Sequence, residues 1–495
     1  MTIDTTPAGA IEGKTYELLI DGQWRQSGSG ETFTRLNPAN GTPVATCPKA
    51  TKEDVEAAIL AARRAFDSGV WSEAPAAQRA EVLRRIADKL RQEASYLGRI
   101  IASEVGRPLL QAILEVEGTA ATFDYYAGVA LDIRGDAITN YVADAVGLVL
   151  KEPVGVVGII TPWNYPLLLV GAKVAPALAA GCTMVVRPSQ STPANTYELG
   201  RIATEAGAPS GVVNVITGDS GTSGEMMLTS PLIDKIAFTG STETGRRVMQ
   251  QASGTFKRLM LELGGKSPNI VFADADVDAA VAGAIIGIYT NSGQICIAGT
   301  RLLVEREIHD EFMSKFLAFA GALKVGDPFD PETYMGPLIS ETQLRTVESY
   351  VEAGKQDGAA LIKGGKRMSG DGLDRGFFFE PTVFDSVQNG MRIAQEEIFG
   401  PVLSVITFET VDEAIKIANE TTYGLGAGIW SRDVNKIMKV AKAIKSGSVW
   451  VNCYFSGGIG TMPFGGYKQS GIGREDGREG LDAFMETKAI QIKLS

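Results

Sequence analysis

Ile233-Asp234-Lys235-Ile236-Ala237-Phe238-Thr239-Gly240-Ser241-Thr242-Glu243-Thr244-Gly245 runs from an apolar strand through a glycine turn into a helix. The same alternation recurs upstream. Val156 to Ile160 reads as a strand, Leu167 to Ala180 as a helix, and Thr183 to Val186 as the next strand. Pro193 to Ala206 is predicted helical, and Val212 to Ile216 is again a strand. Repeated βα units of this length predict a mainly parallel sheet covered by helices. Strands as continuously apolar as Val212 to Ile216 suit a sheet buried on both faces.

Working outward, Thr51 caps a helix with Val55, Ala58, Ile59 and Ala62 inward, and Val82, Leu83, Ile86 and Leu90 line another. A second α/β region follows Gly265. It holds a helix from Val277 to about Ser292 and a strand near Val402 to Phe408. Ile133 to Leu150 breaks the alternation and is expected to pair with a C-terminal strand, Ala489 to Leu494. A chain of 495 residues exceeds one hydrophobic core, so two or three domains are expected.

The formal net charge of −11 argues against nucleic acid and against a basic membrane patch. Met1 to Tyr16 lacks the basic-then-apolar pattern of a secretory leader. The apolar region Val154 to Val186 is broken by Pro162, Asn164, Pro166, Lys173 and Pro176, so it is not read as a membrane span. Cys47, Cys182, Cys296 and Cys453 are widely spaced and suit a reducing cytoplasm; they form no zinc signature. The one histidine, His309, sits in a charged run read as a solvated helix face. Hydrolase triads and histidine metal sites are therefore disfavoured.

Gly240 permits a tight turn, and Ser241 with the helix N-terminal amides can hold a phosphate group. Arg246-Arg247 stand where a P-loop needs Lys-Ser/Thr, which disfavours a nucleotide triphosphatase. Gly218, Gly221 and Gly224 cluster too loosely for a fingerprint. Cys296, in Asn291-Ser292-Gly293-Gln294-Ile295-Cys296-Ile297-Ala298-Gly299, is by default a buried core thiol. As a nucleophile it needs a route to thiolate without histidine. Glu262, between Leu261 and Leu263 at a strand end, is either a base raised by burial or a salt-bridged glutamate. Asn164, in Thr161-Pro162-Trp163-Asn164-Tyr165-Pro166, either caps a turn or donates to an oxyanion.

These segments resemble the aldehyde dehydrogenase superfamily in order and spacing. Glu396-Glu397-Ile398-Phe399-Gly400-Pro401, Tyr423-Gly424-Leu425 and Pro463-Phe464-Gly465-Gly466-Tyr467-Lys468-Gln469-Ser470-Gly471 extend the likeness from about Asn37 to the C-terminus. The resemblance implies an α/β fold with a Rossmann-type cofactor domain (1–131 and 152–262), an α/β catalytic domain (263–470) and a small β oligomerisation arm (132–151 and 471–495). It implies Cys296 as nucleophile, Asn164 with the Cys296 amide as oxyanion hole, and Glu262 as the base for water. Lys173 and Glu475 match the proton-exit pair. Glu397 and Phe399 match contacts to the nicotinamide ribose and ring. Trp163, Ser241, Ile160, Gly240 and Leu263 match further cofactor contacts. No metal is implied. The expected reaction oxidises an aldehyde to the acid with NAD or NADP, through a thioester on Cys296. A CoA-acylating enzyme and a non-catalytic protein of the same fold are the rivals.

One segment departs from the family. Its usual Lys-Pro-Ser-Glu is here Arg187-Pro188-Ser189-Gln190. Gln190 lacks the charge that repels a 2′-phosphate, and Arg187 can pair with one, so dual cofactor use is expected. By resemblance, Tyr165, Leu169, Ala172, Ile295, Ile297, Phe455 and Phe464 line a tunnel for a neutral, bulky or aromatic aldehyde. A cytoplasmic homodimer or homotetramer is expected, joined through the arm.

Overall fold

The computed structural model describes residues 13–140, 142–455 and 460–494. The leader-peptide reading of Met1 to Tyr16 therefore lies outside the described residues except at its last four positions.

Five parallel strands form the centre of an eight-stranded sheet. Their order is Arg258–Glu262, Lys235–Thr239, Val156–Ile160, Thr183–Arg187, Val213–Val215. Val156–Ile160 and Lys235–Thr239 are buried along their whole length, as a two-sided sheet requires. The first of these five in the chain, Val156–Ile160, sits in the middle. The chain builds out to Val213–Val215 on one side, then returns to lay down Lys235–Thr239 on the other. The two crossovers leave the Val156–Ile160 and Lys235–Thr239 strands in opposite directions, so a crevice opens at their C-terminal ends. This is the place where open α/β sheets bind ligands. Three short strands close the edges: Gly471–Ile472 against Arg258–Glu262, and Leu18–Ile20 with Gln23–Arg25 beyond Val213–Val215.

A seven-stranded sheet follows. Its order is Ala360–Lys363, Thr382–Asp385, Val402–Phe408, Arg301–Glu305, Pro268–Val271, Gly426–Trp430, Ser448–Val451, parallel except at the first pair. The expected excursion pairs as Ala145–Pro153 with Met485–Lys493, antiparallel over nine residues, with Asp136–Ile138 on its other side. Both partners begin or end several residues from where the hydropathy placed them. Their exposed, alternating character gives a weaker signal than the buried strands.

The helix expected from Val277 to Ser292 stops at Tyr289. Thr290–Gly293 is a single tight turn, with Asn291, Ser292 and Gly293 at φ of 50°, 56° and 71°. Three successive left-handed residues cannot continue a helix. A Cβ on Gly293 would strike the Gly400 carbonyl, so packing enforces the turn. The chain is thereby thrown sideways, and Cys296 emerges three residues later. Gly240 also differs from expectation. Its φ is not positive, and glycine is needed because a Cβ would lie 2.5 Å from the Phe238 ring.

Candidate active site

Three segments meet at the crevice: the loop 161–166 after Val156–Ile160, the end of Arg258–Glu262 with the loop 263–267, and the turn leading into Cys296. Gly265 lies directly on the Cys296 carbonyl, where any Cβ would collide. Cys296 is half-buried rather than a sealed core residue. Burial, then the carboxylates of Glu397 and Glu262, push its thiol well above the ordinary thiol range.

Glu262 is 2% exposed, and neither carboxyl oxygen has a hydrogen-bond partner among the described residues. The salt-bridged alternative is thereby excluded. Burial, then repulsion from Glu475, raises its pKa well above the usual carboxylate range, against the cations of Lys173 and Arg474. Next to it Lys173 and Glu475 form a buried ion pair, and Lys173 Nζ donates to Thr239 Oγ1 at 2.6 Å. Asn164 is buried and donates one amide N–H to the Gln294 carbonyl at 3.1 Å. Its second N–H is left for another acceptor.

Across the crevice, the Trp163 and Phe399 rings meet edge to face at 5.3 Å. Glu397 accepts from the Gly265 N–H at 3.1 Å, and the absence of a Cβ on Gly264 makes room for it. Burial pushes Glu397 up to about 7, against that N–H and the Lys266 cation. Ile160 and Leu263 are buried on the two strand ends. Ser241 caps the helix Thr242–Ala252, accepting from the Thr244 N–H at 3.2 Å. Gln190 is half-buried, and Ser189 Oγ accepts from the Ser191 N–H at 3.2 Å.

Arg187 is not a free cation. Its Nε donates to Ser223 Oγ at 2.8 Å and its Nη2 to the Gly218 carbonyl at 2.9 Å. It thereby holds the loose glycine cluster, which the spacing left unexplained. His309 also differs from expectation. It opens the helix His309–Ala322 as expected, but its ring is part-buried rather than fully solvated, 2.8 Å from Asp310 and 3.2 Å from Asp385. Burial opposes its charge, but the two carboxylates outweigh burial and raise its pKa. A raised folded-state pKa gives stability that is full below the unfolded value of about 6.5 and lost as pH rises through the folded value. His309→Gln should therefore lower Tm at pH 6 and leave it unchanged at pH 9. Thermal melts at both pH values check this.

Sequence reading missed two groups in this neighbourhood. Lys266 is fully buried with no partner for Nζ among the described residues, and burial and Arg301 pull it down to about 7. Asp476, next to Glu475, is pushed up to about 7 by burial and by that carboxylate. A lone charged residue in a loop carries no signal of burial.

Residues 24–490 match the model of the aldehyde dehydrogenase family. Betaine aldehyde dehydrogenase of Bacillus subtilis is 43% identical over 473 residues, covering 96% of each chain. Human retinal dehydrogenase 2 is 43% identical over 494 residues, 99% of this chain and 94% of its own. Among solved structures, the NAD-dependent aldehyde dehydrogenase of Sinorhizobium meliloti superposes with a TM-score of 0.97 at 42% identity, covering 100% of this chain and 98% of its own. Betaine aldehyde dehydrogenase of Staphylococcus aureus, in complex with NAD+, superposes at 0.95 with 42% identity over 97% of this chain and 95% of its own.

Proposed function

The chain belongs to the aldehyde dehydrogenase family, and from that membership we propose that it oxidises a neutral, apolar aldehyde to the acid through a thioester on Cys296, hydrolysed by water that Glu262 activates. The observation that carries this reading is the unpartnered carboxyl of Glu262, close enough to Cys296 that its charge raises the thiol pKa. A buried carboxyl without a partner costs stability, so its retention points to a partner that arrives during the reaction.

The residues suit a nicotinamide dinucleotide. The crevice lies where such cofactors bind in this sheet topology. The amides of the helix begun by Ser241 suit a pyrophosphate, Glu397 suits ribose hydroxyls, and Trp163 and Phe399 wall the nicotinamide end. When bound, the cofactor accepts hydride. The remaining steps fall to the protein. Cys296 Sγ adds to the carbonyl carbon. The oxygen gains negative charge, and the free N–H of Asn164 and the Cys296 amide donate to it. Loss of hydride leaves a thioester. Glu262 takes a proton from water, the acid departs, and the thiolate is regenerated. The covalent route divides one hard reaction into two easier ones. Lys173 and Glu475, beside Glu262, carry its proton away. The presence of Glu262 favours water over CoA as acyl acceptor.

For the substrate, Tyr165, Leu169, Ile297, Phe455 and Phe464 are half-buried, as the walls of an apolar tunnel would be. The Arg107 guanidinium already covers one face of Tyr165, 3.8 Å from the ring centre, which disfavours a cationic substrate there. The relatives above do not choose between aldehydes, since a betaine and a retinal enzyme are equally identical. For the cofactor, Arg187 Nη1 has no partner among the described residues and Gln190 adds no negative charge, so both NAD and NADP are accepted. The arm of Ala145–Pro153 and Met485–Lys493 joins subunits into a homodimer or homotetramer. The chain works in the cytoplasm; among the described residues no helix is long and apolar enough to cross a membrane. The domain division is that given above.

A steady-state panel of benzaldehyde, hexanal, betaine aldehyde and succinic semialdehyde, run with each cofactor and with or without CoA, tests these readings. Benzaldehyde or hexanal should lead, and the free acid should be the product in every case. A preference for succinic semialdehyde overturns the apolar tunnel. An acyl-CoA product overturns hydrolysis. An NADP rate far below the NAD rate at saturation overturns dual use.

A further inference from the structure

Arg107 lies between two helices, Ala94–Val105 and Leu109–Val129, far from Cys296 in sequence. Its side chain is 1% exposed and forms a buried ion pair with Glu115, itself fully buried. Every donor group of the fork is used. Nη1 meets Glu115, Nη2 donates to the Asn164 carbonyl, and Nε donates to Asn291 Oδ1 at 3.1 Å. The plane of the fork covers the Tyr165 ring.

Its partners close a ring around the oxyanion pocket. Asn291 Nδ2 donates to the Asn164 carbonyl at 3.1 Å and to the Gln294 carbonyl at 3.2 Å. The Asn164 amide donates to that same Gln294 carbonyl. Glu115 Oε1 accepts from the Leu167 and Leu168 N–H groups at 2.9 and 3.0 Å, fixing the start of the helix that follows the Asn164 loop. One guanidinium thus ties the loop that carries Asn164 to the left-handed turn that delivers Cys296. Two oxyanion donors on separate loops keep their spacing only if something spans them.

We propose that Arg107, charged against Glu115, is the positioning residue of the oxyanion pocket: it sets the aim of the Asn164 amide relative to the Cys296 turn. This rests on the thioester reading above. Lysine cannot reproduce the role, because an ammonium is a point charge without a planar fork. The charge matters too. A neutral replacement leaves Glu115 buried and unpaired, which is destabilising in itself.

Arg107→Lys is therefore the informative variant. Oxyanion donors act in the transition state, so kcat should fall while KM changes little. We expect kcat, normalised to titrated Cys296 thiol, to drop about 10²-fold, with KM within about threefold of wild type. A purely architectural role would lower Tm and the yield of titratable thiol but leave kcat per thiol intact. In an Asn164→Ala background the same substitution should cost less than about threefold, since no amide remains to be aimed. Wild-type kcat per thiol, or a full additional loss on Asn164→Ala, overturns the proposal. Should Arg107→Lys fail to fold, Asn291→Gly keeps the left-handed backbone and removes the bridging amide. It should show the same kcat-specific loss, and unaltered kcat there overturns the proposal equally. Failure of the thioester reading shows separately, as wild-type oxidation that survives Cys296→Ala.

Discussion

Cys296→Ala is expected to lower aldehyde oxidation by about 10⁴-fold or more while leaving the fold and dinucleotide affinity in place. The loss is large because the sulfur does what no other group near it can. An aldehyde has no tetrahedral carbon from which hydride leaves until a nucleophile adds. The thiol supplies that nucleophile and a leaving group in one atom. No neighbour can substitute. Cys47 and Cys182 are sealed in the hydrophobic core, so neither sulfur can meet a substrate. The single histidine is committed to Asp310 and Asp385. The structural cost is small, since one half-buried atom is removed from a turn already fixed by Gly293 and Gly265. Steady-state rates, with cofactor affinity measured by fluorescence titration, check both halves. A variant that retains more than about one hundredth of the wild-type rate removes the sulfur from the mechanism.

Four of the five parallel strands were legible because each is a short apolar run followed by a helical stretch. That pattern has few other solutions. The fifth, Arg258–Glu262, starts exposed and leads into another strand, so only its end at Glu262 was read. The flanking strands were less so: Leu18–Ile20 and Gly471–Ile472 owe their pairing to edges that exist only once the sheet is built. The end of the helix at Tyr289 was invisible for the same reason. Asn291 and Ser292 are tolerable in a helix by propensity, and packing of Gly293 on Gly400 decides otherwise. Cys296, Glu262 and Asn164 stood out by resemblance, and their residue types alone left bland readings open. Arg187 was read as a spare cation, whereas its partners Gly218 and Ser223 lie some thirty positions on. Arg107 and Glu115 gave no signal at all. Charged residues near helix starts belong to the surface by default, and only the fold shows a guanidinium sealed between two loops.

Glu262→Gln should separate the two halves of the reaction. Acyl transfer to Cys296 does not need the carboxylate, but activation of water does. Mixing the variant with aldehyde and cofactor should therefore give a burst of about one reduced cofactor per titrated thiol. A steady rate slower by about 10² to 10³-fold follows. The acyl group should be visible on the intact protein by mass, and hydroxylamine, which needs no base, should restore turnover. The pH dependence has a definite sign. Burial and Glu475 favour the neutral form of Glu262, so at low pH it carries a proton and cannot act as base. As pH rises through its elevated pKa it ionises, and the wild-type deacylation rate should climb with it. Ionisation also raises the pKa of the Cys296 thiol, so the charge that speeds hydrolysis slows the next attack. The two demands are compatible only if Glu262 ionises late, after the thioester has removed the thiol from titration. The glutamine variant should accordingly lose the rising limb and keep a flat, low deacylation rate. Full-rate turnover without a burst would mean that another group activates water and that the orphaned carboxyl serves some other end.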